Sequence, residues 1–346
     1  MATVSRRTRA ADVAAAAGVS QTTVSLVLNG RSGHVSEATR QKVLATAEAL
    51  GYHLNTPARQ LASGVTNTIG LVVRQSSEQI AGDSFLGATL HGLASVARES
   101  GYRVVVESIA PGEATYESLL RAQQVDGLVI SGPRADDEEL KRLVADGFPI
   151  IIHGSRPDLA ASSVDVDNVA GARLAVEHLI GLGHRRIACV IFDLSYVAAR
   201  ERLQGYEAAL RDAGIAYDPN LIAETGYRVV GTQSAVADLL ARDDYTAVFA
   251  AADMTAAGVL GALRTAGRRV PDDVSLVGFD DIPLAEFLDP PLTTIRVPAA
   301  QVGEAVGRAL LDRLQGHTEV RRILLPVELM VRTSSAPPIN RRQGEQ

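Results

Sequence analysis

Residues 8–51, TRAADVAAAAGVSQTTVSLVLNGRSGHVSEATRQKVLATAEALG, constrain the fold more than any other stretch of the chain. An Ala-rich run from Ala10 to Ala17 meets a tight turn, Gly18-Val19-Ser20, and a second short helix is expected from Gln21 to Leu28. Ser20 suits the N-cap of that second helix, because its hydroxyl can accept an orphan backbone N–H. Asn29-Gly30 suits the stop, because both residues tolerate the left-handed backbone of a helix end. A helix, a short turn containing Gly and a second helix form the helix-turn-helix plan. In that plan the second helix enters the DNA major groove with its first residues against base edges.

Two Ala-rich helices around a glycine occur in many helical domains, so charge has to separate the readings. Residues 1–64 carry seven Arg/Lys (Arg6, Arg7, Arg9, Arg31, Arg40, Lys42, Arg59) against three acids (Asp12, Glu37, Glu48). That is +4 within a chain of net charge -6, which leaves −10 for residues 65–346. A basic head on an acidic body points to nucleic acid as the partner of the head.

A third helix is expected from a Ser36 N-cap to about Leu50, with Val43, Leu44, Ala47 and Leu50 as its inward stripe and Gly51 at its end. Thr56 and Pro57 then offer an N-cap and a first helical position. The segment they open is only about eight residues long, and a helix that short is unstable alone in water. On its own residues it reads as a linker.

From Thr68 the pattern changes. Ile69–Val73, Tyr102–Val106, Gly127–Ile130 and Ile150–His153 read as buried strands, alternating with helices at Phe85–Glu99, Thr115–Gln123 and Asp136–Ala145. The rhythm restarts after Val164, with helices at Val169–Gly181, Ala199–Ala213, Thr232–Ala241 and Asp253–Ala266 and strands at Arg186–Ile191, Ala247–Ala251 and Ser275–Phe279. A last set follows: Thr293–Val297, a helix Ala299–Leu314, and strands near Ile323–Leu325 and Leu329–Val331. Alternation of this kind builds parallel, doubly wound sheets, here two of similar size. Ligands of such sheets bind outside the carboxyl ends of the strands. The tail from Ala336, rich in Pro and Arg, is expected to fray.

The ordered motifs Asp12-Val13-Ala14, Ala17-Gly18-Val19-Ser20, Thr23-Val24-Ser25, Leu28-Asn29-Gly30, Val35-Ser36, Thr39-Arg40, Leu50-Gly51-Tyr52 and Asn55-Thr56-Pro57-Ala58-Arg59-Gln60-Leu61 resemble the headpiece of the LacI/GalR family of bacterial transcription regulators. The resemblance continues through Val166-Asp167-Asn168, Gly183-His184-Arg185-Arg186, Val277-Gly278-Phe279-Asp280-Asp281, Pro291-Leu292-Thr293-Thr294-Ile295 and Arg332-Thr333-Ser334-Ser335. It implies a small all-α helix-turn-helix headpiece (1–54), a hinge (55–67) and an α/β periplasmic-binding-protein-like core of two doubly wound subdomains (68–340). The subdomains are expected at about 68–164 plus 296–325 and about 165–293 plus 326–340, with crossings near Val164–Asp167, Leu292–Val297 and Pro326. It also implies a homodimer on near-palindromic double-stranded operator DNA, acting as a repressor, with a small-molecule effector, a sugar or sugar derivative, in the cleft. In this family the hinge folds only when two copies meet on the operator, and a leucine from each wedges into the minor groove. Leu61 holds that position, with Ala58 and Ala62 as the small neighbours that permit close approach.

For DNA the expected contacts are Gln21 and Thr22 to bases, since Gln pairs bidentately with adenine and Thr can touch a thymine methyl. Ser20, Thr23, Ser25 and Asn29 are expected on phosphates. Leu26 departs from the family's frequent arginine; it offers only an apolar contact, or packs against the first helix. For the effector the resemblance points to Arg202, ahead of Gly205-Tyr206, to Asp280 at a strand end, and to Arg74 and Phe85. Against these stand a surface role for Arg202 and a core role for Phe85. The family's usual Asn-Asp pair is Ala252-Asp253 here, leaving Asp253, and its usual Asp after the Pro149–His153 strand is Gly154. His153, Ser155 or Arg156 stand near enough to substitute, and a phosphorylated or acidic sugar is among the effectors this allows.

Enzyme motifs fail. Gly82-Asp83-Ser84-Phe85-Leu86-Gly87 misses the G-x-S-x-G elbow by one residue, and no strand is followed by G-x-G-x-x-G or a P-loop. The histidines make no metal motif, so no cofactor or metal is expected, and His178 and His184 read as loop residues. Cys189, inside Ile187–Ile191, reads as a buried strand residue. With no signal segment and no apolar run of about 18 residues, a cytoplasmic chain without membrane contact is expected. The rival reading is a periplasmic-type sugar-binding protein without regulatory role.

Overall fold

The structure is a computed structural model that describes residues 8–28, 35–52, 65–74, 80, 83–109, 116–121, 124–226, 235–242 and 244–339. Contacts divide the chain into two compact units, Met1–Val65 and Thr66–Gln346.

In the first unit α1 (Ala10–Ala17), α2 (Gln21–Leu28) and α3 (Glu37–Ala49) pack around Val13, Ala14, Ala17, Val24, Val27, Val43 and Ala47. Each of the valines contributes roughly 1.5–3 kcal/mol by leaving water. The bend between α1 and α2 is 104°, within the range of helix-turn-helix pairs. Gly18 makes the turn at φ 67, and the Ser20 hydroxyl accepts the Thr23 N–H at 3.1 Å, capping α2. Ser36 caps α3 in the same way, through Thr39 N–H at 3.3 Å. Leu50 corrects the expected inward stripe: it is 39% exposed, because α3 ends at Ala49 and the helical period no longer carries it inward.

The second unit holds two six-stranded sheets. The first comprises β1 (Thr68–Val73), β2 (Arg103–Ser108), β3 (Gly127–Ser131), β4 (Ile150–His153), β5 (Ser162–Val166) and β11 (Arg322–Leu325), in the order β11-β5-β4-β3-β1-β2, all parallel. The second comprises β6 (Ile187–Ile191), β7 (Ile222–Glu224), β8 (Ala247–Ala250), β9 (Ser275–Asp280), β10 (Thr293–Arg296) and β12 (Glu328–Met330), in the order β12-β10-β9-β8-β6-β7, with β12 antiparallel. The helices are α4 (Ser84–Glu99), α5 (Tyr116–Arg121), α6 (Glu138–Ala145), α7 (Asn168–Gly181), α8 (Val197–Asp212), α9 (Ala237–Leu240), α10 (Asp253–Thr265), α11 (Leu284–Phe287) and α12 (Ala299–Leu314).

The chain passes from one lobe to the other after Val166, after Arg296 and between β11 and β12. The first sheet thus keeps the chain to Val166 and the second to Arg296, inside the stretches Val164–Asp167 and Leu292–Val297 where the resemblance implied crossings. Helix α12 follows the second-lobe strands yet packs on α4 of the first lobe. Its Gly303 and Gly92 of α4 let the backbones touch: a Cβ on Gly92 would strike the Ala300 carbonyl, and one on Gly303 the Thr89 carbonyl.

The start of the C-terminal tail is pinned rather than frayed. Ala336 N–H donates to Ser275 Oγ at 3.0 Å, and its carbonyl lies 2.9 Å from His184 Nε2. Buried His184 and Ser275 satisfy their polar groups this way, and His178 Nε2 meets Ser335 Oγ at 2.9 Å. Cys189 is fully buried in β6, which pushes its thiol well above the ordinary range.

Candidate functional site: a recognition helix and an inter-lobe cleft

On α2 the period turns Val24 and Val27 inward and leaves Gln21, Thr22 and Ser25 exposed, with Thr23 half-buried. Ser20, one residue ahead, is exposed while capping the helix. Leu26 is half-buried and, among the described residues, is not part of the headpiece core. Asn29, Ala58 and Leu61 lie outside the described residues.

In the second unit a cleft opens at the carboxyl ends of both sheets. It encloses roughly 880 Å3 of atom-free space, part of it continuous with solvent. The first lobe supplies Arg74 after β1, Ser131 at the end of β3, His153-Gly154-Ser155 after β4, Asp165 on β5, and Asp83 and Phe85 at the start of α4. The second supplies Asn168 at the start of α7, Phe192 after β6, Tyr196 and Arg202 at α8, and Asp280 at the end of β9.

Arg202 is 6% exposed, not a surface residue. Its Nε donates to Asn168 Oδ1 at 2.9 Å and its NH1 to the Ala251 carbonyl at 2.6 Å. NH1 also pairs with Asp280 Oδ1 at 3.1 Å, and the guanidinium lies 3.7 Å from the centre of the Phe279 ring. Gly205, one turn on, lets α8 approach α7 closely, and Tyr206 anchors the helix through its hydroxyl to the Ile187 carbonyl at 2.8 Å.

Asp280 has φ 111, a strained conformation for a residue with a Cβ. Burial raises its carboxyl to about 6, and the charge of Arg202 offsets part of that. Its neighbour Asp281, at φ 52, pairs with Arg296 at 2.7 Å and with Arg332 at 2.7 Å, so the turn is braced by arginines at the end of β10 and just past β12, two neighbouring strands of the second sheet.

Asp253 does not join this constellation. It is 1% exposed and absent from the cleft lining. Its oxygens accept the Thr294 hydroxyl at 2.5 Å and the Ile282 N–H at 2.9 Å, fixing the turn that carries Asp280. Burial raises its carboxyl strongly, with the Asp280 charge adding to the effect.

Arg74 lines the cleft, with its guanidinium held by Tyr116 Oη at 2.6 Å and Asp137 at 3.0 Å. Phe85 stacks on His153 with ring centroids 6.0 Å apart. His153 is buried, bonds Ser131 Oγ through Nδ1 at 2.9 Å, and is pushed down to about 4 by burial, so its ring is neutral near pH 7. Ser155 lines the cleft; Arg156 does not, being tied to Asp158 at 2.8 Å and to the Arg134 carbonyl at 2.6 Å. Gly154 has φ 123, and a Cβ there would sit 2.5 Å from Pro133 Cδ. A side chain of any kind, an aspartate included, therefore has no room at this position on this backbone.

Sequence reasoning did not single out Asp83, Ser131, Asp165, Asn168 or Tyr196 as site residues. An aspartate inside the strand run Val164-Asp165-Val166 was the one available signal, since charges are rare in buried parallel strands. Tyr196 ties the lobes together: its hydroxyl donates to the Arg74 carbonyl at 2.8 Å, and Ala135 N–H donates to the Ser195 carbonyl at 3.2 Å.

Among the described residues no group of three His, Cys, Asp or Glu could hold a metal, and no single helix is long and apolar enough to cross a membrane.

Residues 10–55 match the family profile described as bacterial regulatory proteins, lacI family, and residues 176–335 match that of the periplasmic binding protein-like domain. The chain is 39% identical to the HTH-type transcriptional regulator CelR of Thermobifida fusca, covering 93% of this chain and 96% of that one. It is 35% identical to the regulator DegA of Bacillus subtilis (strain 168), covering 94% and 97%. Among solved structures, the CelR–cellobiose complex matches with a TM-score of 0.74 at 37% identity, over 95% of this chain and 100% of that one. The lac repressor dimer bound to operator and the anti-inducer ONPF matches with a TM-score of 0.85 at 31% identity, over 96% and 100%.

Proposed function

We propose, from the premise that this chain belongs to the LacI family of DNA-binding transcriptional regulators and is not an enzyme, that it is a cytoplasmic repressor acting as a homodimer on a near-palindromic operator and controlled by a sugar in the interlobe cleft. The base-reading residues are Gln21 and Thr22, with Ser20, Thr23, Ser25 and Asn29 on phosphates and Leu26 in apolar contact. Two-fold protein symmetry would be mirrored in the operator. The carrying observation is Arg202, Asp280 and Asn168 converging on one cleft between lobes that a ligand can draw together.

Support for a sugar comes from relatives: CelR is solved with cellobiose and the lac repressor with ONPG. A buried Arg–Asp–Asn set also offers the mixed donors and acceptors that hydroxyl groups need. The effector would change how the lobes sit, and with it the folding of the two hinge segments, Ala58 and Leu61 included, over the minor groove. A coupling of about 1–3 kcal/mol is the usual scale. A mobility-shift assay of the full chain on the DNA upstream of its own gene tests this. Sequence-specific retardation that a sugar changes is expected; a chain that binds sugar but no specific DNA would be a binding protein without a regulatory role.

A further inference from the structure

The floor of the cleft holds more acceptors than donors. Asp165 lines the cleft and is 8% exposed. Its Oδ1 accepts the Val166 N–H at 2.8 Å, and its Oδ2 lies 3.3 Å from Asn168 Nδ2. The same Nδ2 lies 3.1 Å from Glu201 Oε2 and 3.4 Å from the Val166 carbonyl. An amide NH2 has two protons, and three acceptors compete for them. A carboxylate alone offers about four acceptor sites. Asp165 therefore faces the cavity with acceptor capacity that the protein does not fill.

Charge points the same way. Asp83, Asp165 and Asp280 line the cleft, with Glu201 behind Asn168. Among the described lining residues the cations are Arg74 and Arg202, each already ion-paired, to Asp137 and to Asp280. His153 contributes no charge near neutral pH. A phosphate or carboxylate on the floor would meet carboxylates without an uncommitted cation to balance it. Burial, with the nearby Glu201 charge, raises the Asp165 carboxyl to about 7, as a site short of donors should.

Resting on the reading of this cleft as the effector site, we propose that it selects a polyol without negative charge, neutral or amino-bearing, and that Asp165 is the specificity residue accepting that ligand's hydroxyl or ammonium donors. The acidic and phosphorylated sugars that the sequence left open are thereby excluded.

The test is a thermal-shift and calorimetric series on the full chain at pH 8, using cellobiose, glucose, glucosamine, glucose 6-phosphate and gluconate, with the wild type and Asp165→Asn. A neutral or amino sugar should raise Tm while both anions leave it unmoved. Asp165→Asn keeps the Val166 bond and removes the donor-starved charge. It should melt at or above the wild-type temperature without ligand, yet bind the active sugar about tenfold or more weakly. An anion binding as tightly as its neutral parent overturns the proposal, and so does an Asn variant that loses stability with sugar affinity unchanged. If no sugar of any charge shifts Tm, the sugar reading of the cleft falls and the specificity role of Asp165 falls with it, whereas sugar binding that ignores charge and Asp165→Asn overturns the specificity role alone.

Discussion

Arg202 NH1 and Asp280 Oδ1 meet at 3.1 Å over the face of Phe279, one from the middle of α8 and the other from the strained end of β9. Neither is placed by its own element alone. Gly205 lets α8 settle on α7, and Asp253 fixes the turn after β9 from below.

Arg202→Ala should abolish the effector response while leaving operator binding in place. It also strands a buried carboxylate, so the core should lose about 3–5 kcal/mol. Denaturant melts and a mobility shift with and without the active sugar check both parts. A normal response would remove Arg202 from the site.

Asp253→Ala should act on stability first. It removes two hydrogen bonds in a buried turn and should cost about 1–3 kcal/mol. A direct ligand contact would behave oppositely, with affinity lost and melting unchanged, and calorimetry beside a melt distinguishes the two.

Acidification should affect the wild type and Asp280→Asn differently. The Asp280 carboxyl is raised to about 6, so its contribution is full below the unfolded value near 4 and is lost as pH rises through 6. His153 is pushed down to about 4, so its contribution is present above the unfolded value near 6.5 and is lost as pH falls through 4. The two oppose each other between pH 6 and 4. Without the Asp280 carboxyl, the drop in Tm from pH 7 to pH 4.5 should be larger than in the wild type; an equal drop would contradict the assignment.

Leu61→Ala should weaken operator binding while the free protein keeps its effector affinity, because an apolar wedge acts only on DNA. Equal operator affinity would refute the wedge.

Much of this was legible in the residues. The headpiece was readable because Gly18, Ser20 and Ser36 are local signals whose caps need no distant partner. The sheets were readable because buried parallel strands are continuous apolar runs, as Thr68–Val73 and Ile187–Ile191 are. Strand β5 was missed because Ser162, Ser163 and Asp165 interrupt that run with polar residues, and its pairing with β11 spans far-separated sequence. Asp253 was misplaced because adjacency to a strand end does not tell which way a carboxylate points. Asp165 and Tyr196 were missed for the same reason: their roles arise from another lobe's backbone or from a shared amide.

Occupancy of the cleft and grip on the operator should be linked. Linkage is reciprocal. The direct measurement is the affinity of the full chain for its active sugar, by calorimetry, with and without saturating operator DNA, beside operator affinity with and without the sugar. Both ratios should agree and fall within about 5- to 150-fold. Sugar affinity indifferent to the operator, with operator affinity indifferent to the sugar, would contradict it.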